Sequence, residues 1–370
     1  MLYVDIPTLP ELKALISTRA DACVSIYVST TPQTQHVSAS CIAFGNMAKS
    51  ASEQLTKAGL DKRRRALLEA ELAALGDDED FWRLQAHSVA VLATPDSVRT
   101  FRLATALTDM VQVSDRFYLK PLLRAIAFPQ TALVLALSEN AVRLIEIFPE
   151  LPPSRVRVQD FPKDASDAVG RASVNNLTQN TRIANAEGQT VLLRQYARKV
   201  DAALRVLAGR DTPLILAATE PLGPIFRNLN SYPALLSGGI SESPDRMTDA
   251  ELASAARPVL DGYYKAQIKD ANALYEARSS VRRATTDLGE AARAATNGAI
   301  EFLMVDIDHT VPGSVSDIDG TVTFAKDAST YDVVDEIAGR AILTGARFLG
   351  VRREDIPGNA PLAATLRYPI

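Results

Sequence analysis

The segment Thr131-Ala-Leu-Val-Leu-Ala-Leu-Ser-Glu-Asn-Ala-Val-Arg-Leu-Ile-Glu-Ile147 decides how the middle of this chain is read. Two aliphatic runs flank Ser138, Glu139 and Asn140, and short apolar runs divided by turn formers predict a β-hairpin. Arg155-Val-Arg-Val158 alternates and predicts a third strand. Between 164 and 189 the chain is polar and poor in large apolar side chains, which predicts a mobile loop. Over 190–208, Leu193, Ala197, Val200, Leu204 and Leu207 recur at helical spacing, and Arg194, Arg198 and Arg205 share the other side. Pro213-Leu-Ile-Leu-Ala-Ala218 then reads as a buried strand. Residues 129–255 are thus expected to form one α/β domain.

On the N-terminal side, residues 1–128 read as a second α/β domain. Cys23-Val-Ser-Ile-Tyr-Val-Ser29 is a strand, and 43–75 is helical, broken at Gly59 with Asp61 as a cap for its second half. Ser88-Val-Ala-Val-Leu-Ala-Thr94 and Thr100-Phe-Arg-Leu-Ala104 are strands around a turn at Pro95 and Asp96. On the C-terminal side, residues 256–370 form a third domain. It opens in a helical stretch over 249–289, followed by a helix over 291–296 and a strand at Ile300-Glu-Phe-Leu-Met-Val305. Asp319-Gly320 signals a two-residue hairpin turn. A helix over 333–343 and the strands Arg347-Phe-Leu-Gly-Val351 and Ala363-Ala-Thr-Leu-Arg-Tyr368 close the chain. The expected fold class is α/β (α+β) in three domains.

A length of 370 residues suits two or three domains. No apolar run approaches the roughly 20 residues of a membrane span. The first residues, Met-Leu-Tyr-Val-Asp, lack the basic and apolar regions of a signal peptide, so a cytoplasmic location is expected. Cys23 and Cys41 make no disulfide scaffold. His36, His87 and His309 are far apart, so neither a metal site nor a cofactor is expected. The net charge of −4 counts against a general nucleic-acid binder, but not against local basic patches.

Three stretches could carry chemistry. Phe302-Leu-Met-Val-Asp306-Ile-Asp308 has the spacing of a phosphatase nucleophile loop, in which one Asp attacks phosphorus and the second moves a proton. Too little chain follows for the lysine and acidic pair such an enzyme needs, so both carboxylates read as a strand end. Lys62, Arg63, Arg64 and Arg65 fill a first helical turn, the end that the macrodipole makes unfavourable for cations. That placement points to an anionic partner such as RNA phosphate. Ala186-Glu-Gly-Gln-Thr190 is the third. Gly188 permits close backbone approach, and Gln189 offers donors and an acceptor that could orient water.

Several segments together resemble the bacterial relatives of archaeo-eukaryotic release factors. They are Asp80-Phe-Trp-Arg-Leu-Gln-Ala-His-Ser-Val-Ala-Val-Leu92, Thr100-Phe-Arg-Leu103, Val113-Ser-Asp-Arg-Phe-Tyr-Leu-Lys-Pro-Leu-Leu123, Leu135-Ala-Leu-Ser-Glu-Asn-Ala-Val-Arg-Leu-Ile-Glu146 and Pro357-Gly-Asn-Ala-Pro-Leu-Ala-Ala-Thr-Leu-Arg-Tyr368. Relatives of that family include Pelota and the hibernation factor Balon. The resemblance implies a middle domain that is ribonuclease-H-like and a C-terminal αβα domain of the RNA-binding, ribosomal-protein type. It also implies a cytoplasmic translation factor that binds the ribosomal A site in rescue or hibernation. The implied partners are the ribosome with its rRNA and tRNA, and a translational GTPase such as elongation factor Tu. Gly188 and Gln189 match the end of the family's Gly-Gly-Gln loop, with Glu187 in place of the first Gly. A Cβ and a carboxylate there argue against peptidyl-tRNA hydrolysis, which is the alternative function, and recruitment to a non-ribosomal role is a further one. Arg194, Arg198 and Arg205 are the first candidates for RNA contact, with Lys62, Arg63, Arg64 and Arg65 second. Oligomeric state is not legible in the sequence.

Overall fold

The computed structural model describes residues 4–31, 37–127, 131–148, 152–169, 182–205, 212–326 and 331–369. In chain order its strands are β1 (Cys23–Ser29), β2 (Ser88–Thr94), β3 (Ser97–Leu103), β4 (Met110–Ser114), β5 (Ala132–Leu137), β6 (Val142–Ile147), β7 (Ser154–Val156), β8 (Leu214–Ala217), β9 (Leu235–Ile240), β10 (Ala284–Thr285), β11 (Ile300–Asp306), β12 (Gly313–Val315), β13 (Val322–Phe324), β14 (Arg347–Val351) and β15 (Leu362–Leu366). The chain is a mixed α/β protein, as expected. It divides into two compact units, one formed by residues 1–129 with 267–370 and the other by residues 130–266.

The unit of residues 130–266 has one five-stranded sheet in the order β7-β6-β5-β8-β9. β5, β6 and β7 are an antiparallel meander, with Leu135 opposite Leu144. β8 lies parallel to β5, and β9 parallel to β8. Parallel neighbours require crossovers. Helix Arg182–Leu204 makes one between β7 and β8, and helix Leu222–Leu229 makes the other between β8 and β9. This antiparallel-then-parallel order is that of a ribonuclease-H-like sheet. Leu133, Leu135 and Leu137 on one face of β5 share a core with Leu193, Tyr196, Ala197, Val200 and Leu204 of the helix.

β9 has no counterpart in the sequence reading, because Leu235-Leu-Ser-Gly-Gly-Ile240 carries two turn-forming glycines. The structure uses them for close approach. A Cβ on Gly239 would lie 2.6 Å from the Leu216 carbonyl oxygen. The β8–β9 register shifts between Leu214 and Leu216. Arg227 donates to the carbonyls of Leu236 (2.7 Å) and Gly238 (3.0 Å) on β9.

The other unit contains two four-stranded sheets, β3-β2-β1-β4 and β10-β15-β11-β14. Along β1 alternate residues face opposite ways, as a pleated strand requires. Val24, Ile26 and Val28 pack with Phe44, Leu55, Leu68 and Trp82 from the helices Val37–Lys57, Lys62–Asp77 and Glu79–Arg83. Cys23 and Tyr27 face a core shared with the C-terminal part of the chain, including Leu303, Val305, Ile337 and Leu362. β11 alternates likewise: Leu303 and Val305 enter that core, while Met304 packs with Ala271, Leu349 and Ala363. Helices thus cover both faces of the C-terminal sheet, which is the αβα layering expected. The first and last segments of the chain bury apolar surface in common, and their sequences give no sign of this.

Two of the differences from the expected boundaries change the local architecture. The long C-terminal helix is Asp249–Ser279 rather than 249–289, because Arg282 takes φ 56° and β10 follows. The expected 255/256 division and the 266/267 division between compact units both fall inside this helix. The hairpin at Asp319-Gly320 exists as β12–β13, but Val315 pairs with Val322, so its loop spans 316–321 rather than two residues. Arg340 explains the wider loop by bonding its backbone from below (2.9 Å to Ser316 O, 3.0 Å to Val315 O).

Candidate functional site

Helix Arg182–Leu204 is the centre of the candidate site, and its position corrects the sequence reading in one respect. Gly188 and Gln189 do not lie in a loop; both are within the helix. Ala184, Ala186 and Glu187 are good helix formers, and a polar stretch without apolar periodicity does not by itself tell a helix from a loop. Of the expected loop 164–189, residues 165–169 and 182–189 are helical. Residues 170–181, like Leu207, lie outside the described residues. Inside a helix the N–H of residue 189 is committed to the carbonyl four residues earlier, so it is not free to hold an oxyanion. The exposed Gln189 side chain donates from Nε2 to Glu139 Oε1 (3.3 Å), tying it to the β5–β6 turn. No group of three or more His, Cys, Asp or Glu among the described residues could hold a metal ion.

The helix buries Leu193, Tyr196, Ala197 and Val200 at helical spacing. That fixes the opposite face towards water, where Arg194, Arg198, Lys199 and Arg205 are exposed. The three arginines sit within one stripe of the helix, at i, i+4 and i+11. They are not equivalent. Arg205 is 3.3 Å from Asp201 Oδ2 and 3.4 Å from Ser231 Oγ. Asp201 is itself buried and accepts from Ser231 N (2.6 Å), so the pair is built into the fold. Arg194 and Arg198 have no acidic partner among the described residues. Two cations one turn apart repel by a few tenths of a kcal/mol, about the size of an attractive pair. An arrangement of two unneutralised guanidinium groups is chemically suited to binding phosphate oxygens.

The second cationic group behaves differently. Asp61 caps helix Lys62–Asp77 by accepting from Arg63 N (2.9 Å) and Arg64 N (3.2 Å), as the sequence implies. Arg64 is spanned by Asp21 (3.1 Å) and Asp96 (3.3 Å). Arg65 reaches Glu69 (3.5 Å) and Thr56 Oγ1 (2.8 Å). Only Lys62 and Arg63 of the four are left exposed. The sequence reading treats the four as one patch, whereas the fold spends half of it on internal ion pairs. This patch and the Arg194–Arg198 stripe belong to different compact units.

Asp306 and Asp308 are confirmed as strand-end residues. Asp306 is fully buried and accepts from Asp308 N (3.0 Å), with His309 Nδ1 at 3.1 Å. Beside them lies a buried polar seam that the sequence does not reveal. Lys120 Nζ meets Asp332 Oδ2 at 3.0 Å and donates to the His309 carbonyl. Asp335 accepts from Leu119 N (3.1 Å) and from the Tyr331 hydroxyl. Burial, reinforced by the nearby Asp332, pushes the Asp335 carboxyl up to about 7. The bonds to Asp332 and Asp335 join Lys120 and Leu119 to residues more than 200 positions later, and Lys120, Asp332 and Asp335 are all buried.

Residues 129–268 match the family model described as Bacterial archaeo-eukaryotic release factor family 8. No curated protein matches the chain. Similar solved structures include an archaeal translation termination factor, aRF1, at 13% identity over 98% of this chain and 99% of that chain, TM-score 0.26. Pelota from Archaeoglobus fulgidus is 12% identical over 99% of this chain and 94% of that chain, TM-score 0.32. Dom34 from S. cerevisiae is 12% identical over 74% of this chain and 73% of that chain, TM-score 0.44. The resemblance read from the sequence is thus borne out: residues 129–268 match the model of bacterial archaeo-eukaryotic release factor family 8.

Proposed function

We propose that this chain is a release-factor-related translation factor that binds the ribosome at its A site, in rescue or hibernation, without hydrolysing peptidyl-tRNA. The observation that carries this reading is the pair Arg194 and Arg198, exposed and unneutralised within the family-matched segment. Phosphate of rRNA or tRNA is the ligand they suit. The helical placement of Gly188 and Gln189 supports the absence of hydrolysis, since the backbone donor is already used. Lys62 and Arg63 are the secondary contacts. In this reading the segments 1–128, 129–255 and 256–370 act as functional divisions in the cytoplasm, with a GTPase such as elongation factor Tu as partner.

Co-sedimentation with purified bacterial ribosomes tests the reading. Wild-type protein should pellet with ribosomes at moderate salt. Each of Arg194→Glu and Arg198→Glu should weaken binding and reduce the slope of log affinity against log salt by about one. Absence of the wild type from the ribosomal pellet sinks the reading. Release of peptide from programmed ribosomes by the wild type, lost in Gln189→Ala, would establish the hydrolase instead.

A further inference from the structure

The β12–β13 hairpin presents an apolar side chain on an ordered support. Ile318, in its loop, is 95% exposed. The backbone around it is held on all sides. Ser316 N donates to Thr321 O (2.9 Å) and Gly320 N to Ser316 O (3.0 Å). Asp319 accepts from Thr321 N (3.0 Å) and Thr321 Oγ1 (2.7 Å). Arg340 bonds Asp317 (2.5 Å) in addition to the carbonyls of Val315 and Ser316. Gly320 has φ 71°, and a Cβ there would lie 2.8 Å from Ala292 O and Arg293 Cα. Val315 is buried in the core, and Val322 packs against it. The hairpin is therefore clamped to the fold while its tip stands in water.

A large apolar side chain on a fixed backbone is the form of an interface anchor, because little order remains to be imposed on docking. The charges beside it select the partner. Asp317 and Asp319 flank Ile318, and both are exposed. Arg340 neutralises Asp317 from beneath. Hydrogen bonds from Ser316 and Thr321 hold the Asp319 carboxyl down at about 2, so it is ionised at all working pH values. A carboxylate at the tip repels phosphate and favours a cationic rim.

We propose that loop 316–321 is a protein-docking element whose anchor, Ile318, enters an apolar pocket rimmed by Lys or Arg on a ribosomal protein. The proposal rests on the ribosomal reading above. It assigns this contact to protein and the Arg194–Arg198 contact to nucleic acid.

The test uses the full chain and purified bacterial ribosomes. Protein carrying Ile318→p-benzoylphenylalanine is irradiated on ribosomes, and Ile318→Asp is compared with wild type and Val281→Asp by co-sedimentation. Ile318 supports no core contact, so Ile318→Asp should melt as the wild type does. The expected result is a cross-link from position 318 to a ribosomal protein, with binding weakened roughly tenfold in Ile318→Asp and unchanged in Val281→Asp. If wild type pellets while position 318 cross-links only to rRNA or to nothing, the docking proposal fails and the ribosomal reading stands. The same holds if Ile318→Asp binds as wild type does. Failure of the wild type to pellet removes both.

Discussion

Asp335 shows how a single residue can carry information that its sequence context hides. It sits in helix Val333–Leu343, where spacing alone offers an acidic residue in a first turn, a favourable place beside the macrodipole. The fold instead buries it against Leu119 and Tyr331, with Asp332, Lys120, Tyr27 and Tyr118 around it and Glu336 and Arg116 acting on Tyr331. Its carboxyl is raised from 3.8 to about 7, so the folded protein keeps a proton that the unfolded chain releases above about pH 4. The stability this contributes is fully present below the unfolded value and is lost as pH rises through about 7. The expected outcome is a thermal midpoint that falls between pH 4 and pH 7, with a shallower fall in Asp335→Asn. A slope identical in the two proteins would refute it. Lys120 and Asp332 are a neighbouring case. They form a buried ion pair whose partners are 212 positions apart, and no local pattern could have paired them.

Helix Arg182–Leu204 is where sequence logic and structure part at the level of an element. The apolar spacing of Leu193, Ala197, Val200 and Leu204 was readable, because burial of one face follows from a 3.6-residue period. The start of the helix was not, because residues 182–189 have no apolar period and include Gly188. A glycine inside a helix costs about 0.5–1 kcal/mol relative to alanine. Gly188→Ala should therefore raise stability by about that amount in thermal or denaturant unfolding. A left-handed loop conformation at Gly188 would reverse the sign, so a destabilised Gly188→Ala would restore the loop. Helix Lys62–Asp77 makes the complementary point. Its Asp61 cap was legible from residue type and spacing, whereas the neutralisation of Arg64 by Asp21 and Asp96 depends on β-strand neighbours far along the chain.

For the whole molecule, the division of the core has a measurable consequence. Cys23, Tyr27, Leu92 and Leu103 of the first sheet share a core with Ile337, Leu303 and Leu362 from beyond position 300. Each such side chain stabilises the fold by about 1.5–3 kcal/mol when fully buried. A fragment of residues 1–129 exposes one face of its sheet, so it should be insoluble or molten alone. Co-expression with 267–370 should recover a soluble pair. The fragment 130–266 has its own sheet and core and should fold alone with a cooperative transition. A cooperative transition in 1–129 alone would show that the shared core is dispensable.

Local chemistry determined much of this protein before any contact was known: the β5–β6 hairpin, the Asp61 cap, and the C-terminal strands and helix over 300–305, 333–343 and 347–351. These follow from periodicity, turn residues and propensity, which act over a few neighbours, whereas the αβα layering was implied by the resemblance of whole segments to release-factor relatives. Which arginines stay free, how Asp335 holds its proton, where Ile318 points and which segments share a core were decided by tertiary structure. Each depends on charges or apolar faces brought together from distant positions, and burial, which sets their energies, exists only once the chain has folded.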